Sequence, residues 1–483
     1  MSNNITKDIF LKTFTCPTLG WETYYSNAVE ELSIFNKFKM QEGLEVHGLA
    51  RRLFPKGMFV LGDNKTTAQL TQNLLNHKNT EEIFEATFIA DNFITKVDIL
   101  KKENKGWHLI EIKSGTDPEN SEYLDDLAYT TMVVKMTGIN IVSSSLLLVS
   151  KDYRLGMPES NLFKEYDCSD KIVEIEKVFR RNSKDISKYF KINKKAKPNF
   201  IMECKGCGIF ENCHGEDFKN HILELPRISS TKFRQLKHLG VLKIKDIPAD
   251  FKLTDTQIHV YKAVKSNKPF INDKGLKLAL SKIEYPAHYL DFETVMTAIP
   301  LYKDIAPYEQ IPTQYSLHKC SSVGKISEHF EFLSDSSKDC RRELAESLIR
   351  DCGHEGSIFS YSHFEKDVIN WLKNIFPDLE KKLDALINRI VDLCAVFQKY
   401  YYHPEFHGSY SIKGVLPVMV GDLSYKGMEV NNGSDAIAVF AKMARGEYSQ
   451  KECKAIKQHL LEYCKLDTLA MVRLHWKLIE AVN

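Results

Sequence analysis

From Thr87 to Ser114 apolar and polar residues alternate, first as Thr-Phe-Ile-Ala-Asp-Asn-Phe-Ile-Thr-Lys-Val-Asp-Ile-Leu and then as Gly-Trp-His-Leu-Ile-Glu-Ile-Lys-Ser-Gly. A period of two is the period of a strand, and Lys101-Lys-Glu-Asn-Lys-Gly106 reads as the turn between the last two strands of the run. Helical spacing precedes this block, from Gln41 to Leu53, and follows it, from Tyr123 to Gly138. A helix, a strand group and a second helix predict a mixed α/β core.

The chain has 483 residues, and single hydrophobic cores stop growing at about 250–300 residues. Two domains are therefore expected, with a smaller module between them. The hydrophobic share of 43% and charged share of 27% are those of a globular chain. A net charge of +2 does not announce a polyanionic partner, although a local basic stripe remains compatible with it. No apolar run reaches the ~18 residues of a membrane span. The opening Met-Ser-Asn-Asn-Ile-Thr-Lys-Asp lacks a signal peptide's apolar region, so a cytoplasmic protein without a membrane partner is expected.

From Lys177 to Pro198 basic residues outnumber acids nine to one, Asp185 being the acid. Arg180, Arg181, Lys184 and Lys188 are its candidates for contact with nucleic-acid phosphates; a solvated helix face is the alternative. Residues 228–263 read as short helices around Leu236-Lys-His-Leu-Gly-Val241 and resemble a helix-hairpin-helix. A second α/β pattern begins near Lys282 and runs to a helical C-terminus, Lys451 to Ala481. The expected domains are residues 1–220, a helical connector 221–280, and residues 281–483.

Asp98 lies on one expected strand and Glu111-Ile-Lys113 on the next. Side chains at i and i+2 share a strand face, so Glu111 and Lys113 point together and Asp98 can converge on them. Two carboxylates bind a hard divalent cation, Mg²⁺ or Mn²⁺, while the adjacent ammonium orients water and offsets phosphate charge. The pattern resembles the PD-(D/E)xK nuclease motif. Gly43-Leu-Glu-Val-His47 on the preceding helix is similar to the Gly-x-x-x-His of RecB-type nucleases, which implies His47 as a further metal ligand. Where that family carries Gln-x-x-x-Tyr, this chain reads Asp125-Asp-Leu-Ala-Tyr129.

Of eleven cysteines, three stand in Cys204-x2-Cys207-x5-Cys213. Closely spaced thiols without an export signal point to a soft metal or an iron–sulfur cluster rather than to disulfides. Cys16 supplies a fourth ligand if the ends of the domain meet. The arrangement resembles iron–sulfur RecB-family nucleases, in which one upstream cysteine and a downstream Cys-x2-Cys-x5-Cys hold a [4Fe–4S] cluster. Zn²⁺ is the competing occupant, and His214 an alternative zinc ligand.

Leu290-Asp-Phe-Glu-Thr294 places Asp291 and Glu293 on one strand face, and Tyr463-Cys-Lys-Leu-Asp467 places Tyr463 and Asp467 on one helix face. Together they resemble the DnaQ-like DEDD exonucleases of ribonuclease H-like fold, in the tyrosine subtype. The resemblance implies Asp291, Glu293 and Asp467 as ligands of two divalent ions, roughly 3.5–4 Å apart in such sites, and Tyr463 as the residue that positions water. The middle acid is Glu365 in Tyr361-Ser-His-Phe-Glu365, with Asp367 as its substitute. Asp392 is a further acid near the site. Ser409, Ser411 and Lys413 form a candidate nucleic-acid-contacting loop, and Pro307 to His318 a possible cleft lining.

The whole order resembles bacterial proteins that join an iron–sulfur RecB-like nuclease to a DnaQ-like exonuclease. The expectation is a metal-dependent nuclease with two active sites, acting on nucleic acid, DNA in preference to RNA, single-stranded or at ends. The alternatives are a binding protein with one or both sites degenerate, and an RNA-processing exonuclease using the C-terminal site alone.

Overall fold

The computed structural model describes residues 4–26 and 32–483, and the chain folds as α/β. It divides into two compact units, Met1–Asn199 with Met296–Glu309, and Phe200–Val295 with Gln310–Asn483. The segment expected as a separate connector, 221–280, thus belongs to the second unit, together with Cys204, Cys207 and Cys213. Among the described residues no helix is long and apolar enough to cross a membrane.

The first unit opens with helices α1 (Lys7–Thr15), α2 (Pro17–Tyr25) and α3 (Ile34–Arg51). There follow β1 (Gly57–Phe59), α4 (Asn64–Asn76), β2 (Glu82–Ala90), β3 (Phe93–Glu103), β4 (Gly106–Lys113), α5 (Ser121–Met136), β5 (Ile141–Val149), β6 (Phe163–Asp167) and α6 (Ser169–Ile192). The six strands lie in chain order in one sheet. β2, β3 and β4 form an antiparallel meander, and β5 joins β4 in parallel across the helix α5. Side-chain alternation sorts the central strands. Ile99, Ile110 and Ile112 pack with Val46 and Ala50 of α3, whereas Leu100, Leu109 and Leu146 pack with Leu127 of α5 and Phe179 of α6. Glu111, set between Ile110 and Ile112, faces the side of α1 and α5.

The N-terminal residues are tied to this sheet. Ile5 N–H donates to the Asn92 carbonyl at 2.7 Å and Ile94 N–H to the Ile5 carbonyl at 3.0 Å. The buried Tyr129 hydroxyl donates to the Ile5 and Ile94 carbonyls, at 2.8 and 3.1 Å. Residues 296–309 close the unit: Ala298 N–H donates to the buried Glu42 at 2.8 Å and the Tyr308 hydroxyl to the Ser114 carbonyl at 2.9 Å.

The second unit begins with α7 (Phe210–His214), α8 (Ser230–His238), α9 (Asp255–Ser266), β7 (Phe270–Ile271) and α10 (Asp273–Leu280). Its main elements are β8 (Ala287–Val295), β9 (Ile311–Ser322), β10 (Lys325–Leu333), α11 (Arg341–Cys352), β11 (Ile358–Ser360), α12 (Phe364–Ile375), α13 (Glu380–Ile387) and β12 (Ile390–Asp392). It ends with α14 (Leu393–Tyr400), β13 (Tyr401–Tyr402), α15 (Ile412–Met419), α16 (Gly433–Ala444) and α17 (Gln450–Glu480). The five-stranded sheet runs β10-β9-β8-β11-β12, with β9 antiparallel to both neighbours and β8, β11 and β12 parallel. Leu290 and Phe292 of β8 pack against α11, α12 and α13. Tyr289 packs on the other side with Met471 and Leu474 of α17, in a core that continues into Phe233, Leu236 and Val260 of the short helices. By strand alternation Asp291 and Glu293 share the face of Tyr289, which is the face that α17 covers.

Candidate functional site

In the first unit the sheet and two helices bring together side chains scattered over the chain. His47 of α3 places Nδ1 3.7 Å from Asp98 Oδ1, and ligand atoms of His47, Glu85 and Asp98 all lie within 4.8 Å of one another. Glu85 is a residue that sequence reading missed. The β2–β3 register pairs Phe84 with Ile99 and Ala86 with Val97, so Glu85 stands opposite Asp98. Its φ of 57° interrupts the ladder there, a costly conformation for a residue with a Cβ. Arg51 pairs with the Glu85 carboxylate.

Glu111 is 3% exposed, and its two oxygens have different surroundings. Oε1 takes the Lys7 ammonium at 2.6 Å and the Lys113 ammonium at 3.3 Å, while Oε2 is buried with no hydrogen-bond partner. Lys7 lies 3.3 Å from Asp126, and Lys113 also pairs with Asp126. Burial penalises the Glu111 charge, but the two lysines outweigh it and hold the carboxyl below its ordinary value. Asp98 has only weak support from Lys7. Burial, with Glu111 repelling it, raises its carboxyl well above the usual range, although the Ile112 N–H donates to Oδ2 at 2.7 Å. Burial, reinforced by Arg51, lowers His47 to about 4, so its ring is neutral and keeps a lone pair for a metal. A neutral imidazole, protonatable acids and an orphaned carboxylate oxygen suit a divalent cation, because an ion would satisfy Oε2 and displace the Asp98 proton. Tyr129, by contrast, is a core residue whose hydroxyl is spent on backbone carbonyls.

In the second unit Asp291, Glu293 and Asp467 place ligand atoms within 4.8 Å of one another. Burial raises all three, joined by repulsion from the neighbouring acids at Asp291 and Glu293: Glu293 to about 8, Asp467 to about 6, and Asp291 well above its ordinary value. Glu365, in the first turn of α12, is 3% exposed, its Oε2 has no partner, and burial raises it to about 8. It also feels Asp392 and Asp467 electrostatically. The substitute Asp367 is exposed and pairs with His363 at 3.7 Å, so Glu365 is the acid turned inward. Asp392 caps α14 by accepting from Ala395 N–H at 2.9 Å.

Lys413, expected as a phosphate contact, reaches this site from α15. Its ammonium lies 5.1 and 5.3 Å from the ring centroids of Tyr425 and Tyr463 and donates to the Asn431 carbonyl at 2.7 Å. Tyr463 and Tyr425 both hydrogen-bond Asp467, which favours its charged form. The Cys464 thiol donates to Asp291 Oδ2 at 3.3 Å. Tyr425 and Cys464 were missed. Cys464 shares a helix face with Asp467 by the three-residue rule and was legible; Tyr425 sits in a loop with no periodic signal. Of the stretch read as a cleft lining, Tyr308 belongs to the first unit. Gln314 belongs to the second, opposite Glu293, and donates to the Leu460 carbonyl at 2.8 Å.

The four cysteines are free thiols of intermediate burial. Cys16 belongs to the first unit and the other three to the second. The three are absent from the close ligand groups, and the Cys204 sulfur lies 3.8 Å from His214 Nε2. Cys204 and Cys207 line an open cavity of ≈ 630 Å³ with His221, Glu224 and His407. Arg180, Arg181, Lys184 and Lys188 are exposed on α6, whose other face buries Phe179, Ile186 and Phe190.

A family model described as a domain of unknown function, DUF2779, matches residues 288–411. This stretch carries Asp291, Glu293, Glu365 and Asp392 and stops short of Asp467. The uncharacterized protein MG366 of Mycoplasma genitalium is 22% identical over 263 residues, covering 50% of this chain and 39% of its own. The uncharacterized protein UU173 of Ureaplasma parvum is 25% identical over 272 residues, covering 51% of this chain and 39% of its own. The match thus spans well under half the length of these relatives. Among solved structures, the crystal structure of SSO0001 aligns with 44% of this chain and 96% of its own at 14% identity. Its TM-score of 0.18 is too low to carry an argument.

Proposed function

We propose that the protein is a metal-dependent nuclease with two hydrolytic centres, one in each unit, acting on nucleic acid and on DNA in preference to RNA. The observation that carries this reading is that two close ligand groups form, His47 with Glu85 and Asp98, and Asp291 with Glu293 and Asp467. Glu111 and Glu365 lie outside these close groups but couple electrostatically to Asp98 and Asp467, and each has a buried carboxylate oxygen without a hydrogen-bond partner. Unpaired buried carboxylates are costly, and a cation is the natural partner for them. Mg²⁺ or Mn²⁺ would supply Lewis acidity and a water of lowered pKa at each centre.

In the first unit His47, Glu85, Asp98 and Glu111 would hold the ion. Lys113, fixed by Glu111 and Asp126, would orient water and neutralise phosphate charge. The meander of β2 to β4 followed by α5 and the parallel β5 is compatible with a PD-(D/E)xK core. In the second unit Asp291, Glu293, Glu365 and Asp467 would hold the ions, with Tyr463 positioning water beside Asp467. The sheet in which β9 alone runs against β8, β11 and β12 is compatible with a ribonuclease H-like domain. Cys204, Cys207 and Cys213 would serve as ligands of an iron–sulfur cluster, [4Fe–4S] in the family resembled, and Cys204 and Cys207 line an open cavity; Zn²⁺ is its competitor. The exposed basic face of α6 would contribute phosphate contacts.

Digestion of end-labelled single- and double-stranded DNA and RNA with Mg²⁺ or Mn²⁺ tests the reading. Lys113→Ala and Asp291→Ala should each remove one activity, by about a hundredfold or more. Unchanged degradation in both variants would discard it. Iron and sulfide in stoichiometric amounts after anaerobic purification would separate the cluster from zinc.

A further inference from the structure

The first centre holds a second lysine that no motif requires. Lys7 belongs to the first turn of α1, 104 residues before Glu111 in sequence. Its place is not accidental in the fold. Ile5 pairs with the start of β3 through two backbone hydrogen bonds, Tyr129 donates to the Ile5 carbonyl, and Thr6 caps α1. The residue that follows the cap is thereby delivered to Glu111 and Asp126.

Lys7 and Lys113 contact the same two oxygens, Glu111 Oε1 and Asp126 Oδ2. Two ammonium groups and two carboxylates form a closed ring of alternating charge. Glu111 Oε1 is therefore already taken by two ammonium groups, whereas Oε2 is buried without a hydrogen-bond partner. The charge balance agrees. Glu85, Asp98, Glu111 and Asp126, when ionised, are met by Lys7, Lys113 and Arg51, which leaves one net negative charge. One divalent ion and one phosphodiester bring the site to neutrality, and a second ion would overshoot it.

We propose that Lys7 stands in for a second divalent cation, occupying Glu111 Oε1 with its ammonium so that the first centre takes a single metal ion. The inference rests on the first centre being the metal site described above. It makes the two centres chemically different: one ion and two lysines in the first, a multi-carboxylate pair site in the second.

The test counts Mn²⁺ bound by the full chain carrying Asp291→Asn and Asp467→Asn, by calorimetry and by the Mn²⁺ spin-resonance signal. One ion is expected, lost on His47→Ala. Lys7→Met should tighten that ion about tenfold, because a nearby unit positive charge is removed at intermediate dielectric, while cleavage by the first centre falls. Lys7→Arg should keep the original affinity. A residue that merely braces the fold would instead loosen the ion when replaced. Two ions with Lys7 in place would overturn the inference alone. Weaker Mn²⁺ binding in Lys7→Met, at an unchanged melting temperature, would overturn it as well. A count of zero would overturn the nuclease reading and this inference together.

Discussion

At the level of single residues, the protonation of the second centre is set by its company. Glu293 and Glu365 sit near 8 because they are buried beside other acids, and Asp467 sits near 6 because it is buried. An unfolded chain ionises these groups at their ordinary, lower values. Raised folded values therefore mean that their contribution to stability is intact below the unfolded values and is lost as pH rises through the folded ones. The metal-free protein should lose melting temperature between about pH 5 and pH 9. Glu293→Gln, which imitates the protonated acid, should lose less over the same range, and Mn²⁺ should restore the wild type most at the alkaline end. Parallel pH slopes for wild type and variant in thermal melts would reject this account. The acids themselves were legible: Asp291 and Glu293 by the strand period, Asp467 by the helix period. Tyr425 was not, because a loop residue that touches Asp467 from 42 positions away leaves no periodic trace.

At the level of elements, α17 decides the geometry of that centre, since it carries Tyr463, Cys464 and Asp467. It is seated on β9 by a buried hydroxyl. Thr468 Oγ1 lies 2.7 Å from His318 Nδ1 and 2.9 Å from Ser316 Oγ. Thr468→Val keeps the shape but strands the buried His318 Nδ1, while Ser316 keeps His329 at 2.9 Å, and should destabilise the fold by about 1–3 kcal/mol, read as a lower denaturant midpoint. Asp467 is the adjacent residue, so Mn²⁺ affinity should fall with it; an unaltered midpoint would show that the hydroxyl seats nothing. The β2–β3 hairpin shows how an element was half read. Its alternation is visible from Thr87, but β2 starts at Glu82 and is buried on both faces, so no alternation marks its first half. The two-residue Asp91-Asn92 turn pairs Ala90 with Phe93, and counting back from it lands Glu85 opposite Asp98. The turn held the information, and the hydrophobic pattern did not.

For the whole molecule, chain order and folding unit do not coincide. Residues 296–309 leave the second sheet between β8 and β9 and belong to the first unit, where Ala298 is buried beside Val46 and Ala50. A fragment of residues 1–199 leaves the buried Glu42 without the Ala298 N–H and exposes that apolar surface. Joining residues 296–309 to the fragment through a short Gly-Ser linker should raise its melting temperature by several degrees, as about 1 kcal/mol does for a domain of this size. Equal melting of the two fragments would show that the segment is only passing by.

Strand and helix periods, turn residues and the spacing of acids are local, so the α/β class and most of both carboxylate sets could be read along the chain. Lys7 against Glu111, Glu85 against Asp98 and the return of residues 296–309 could not. Those contacts join positions whose separation no local pattern encodes, and they exist because backbone pairing and core packing carry one stretch to another. Periodicity says which face a side chain takes, and only the closed fold says what stands across from it.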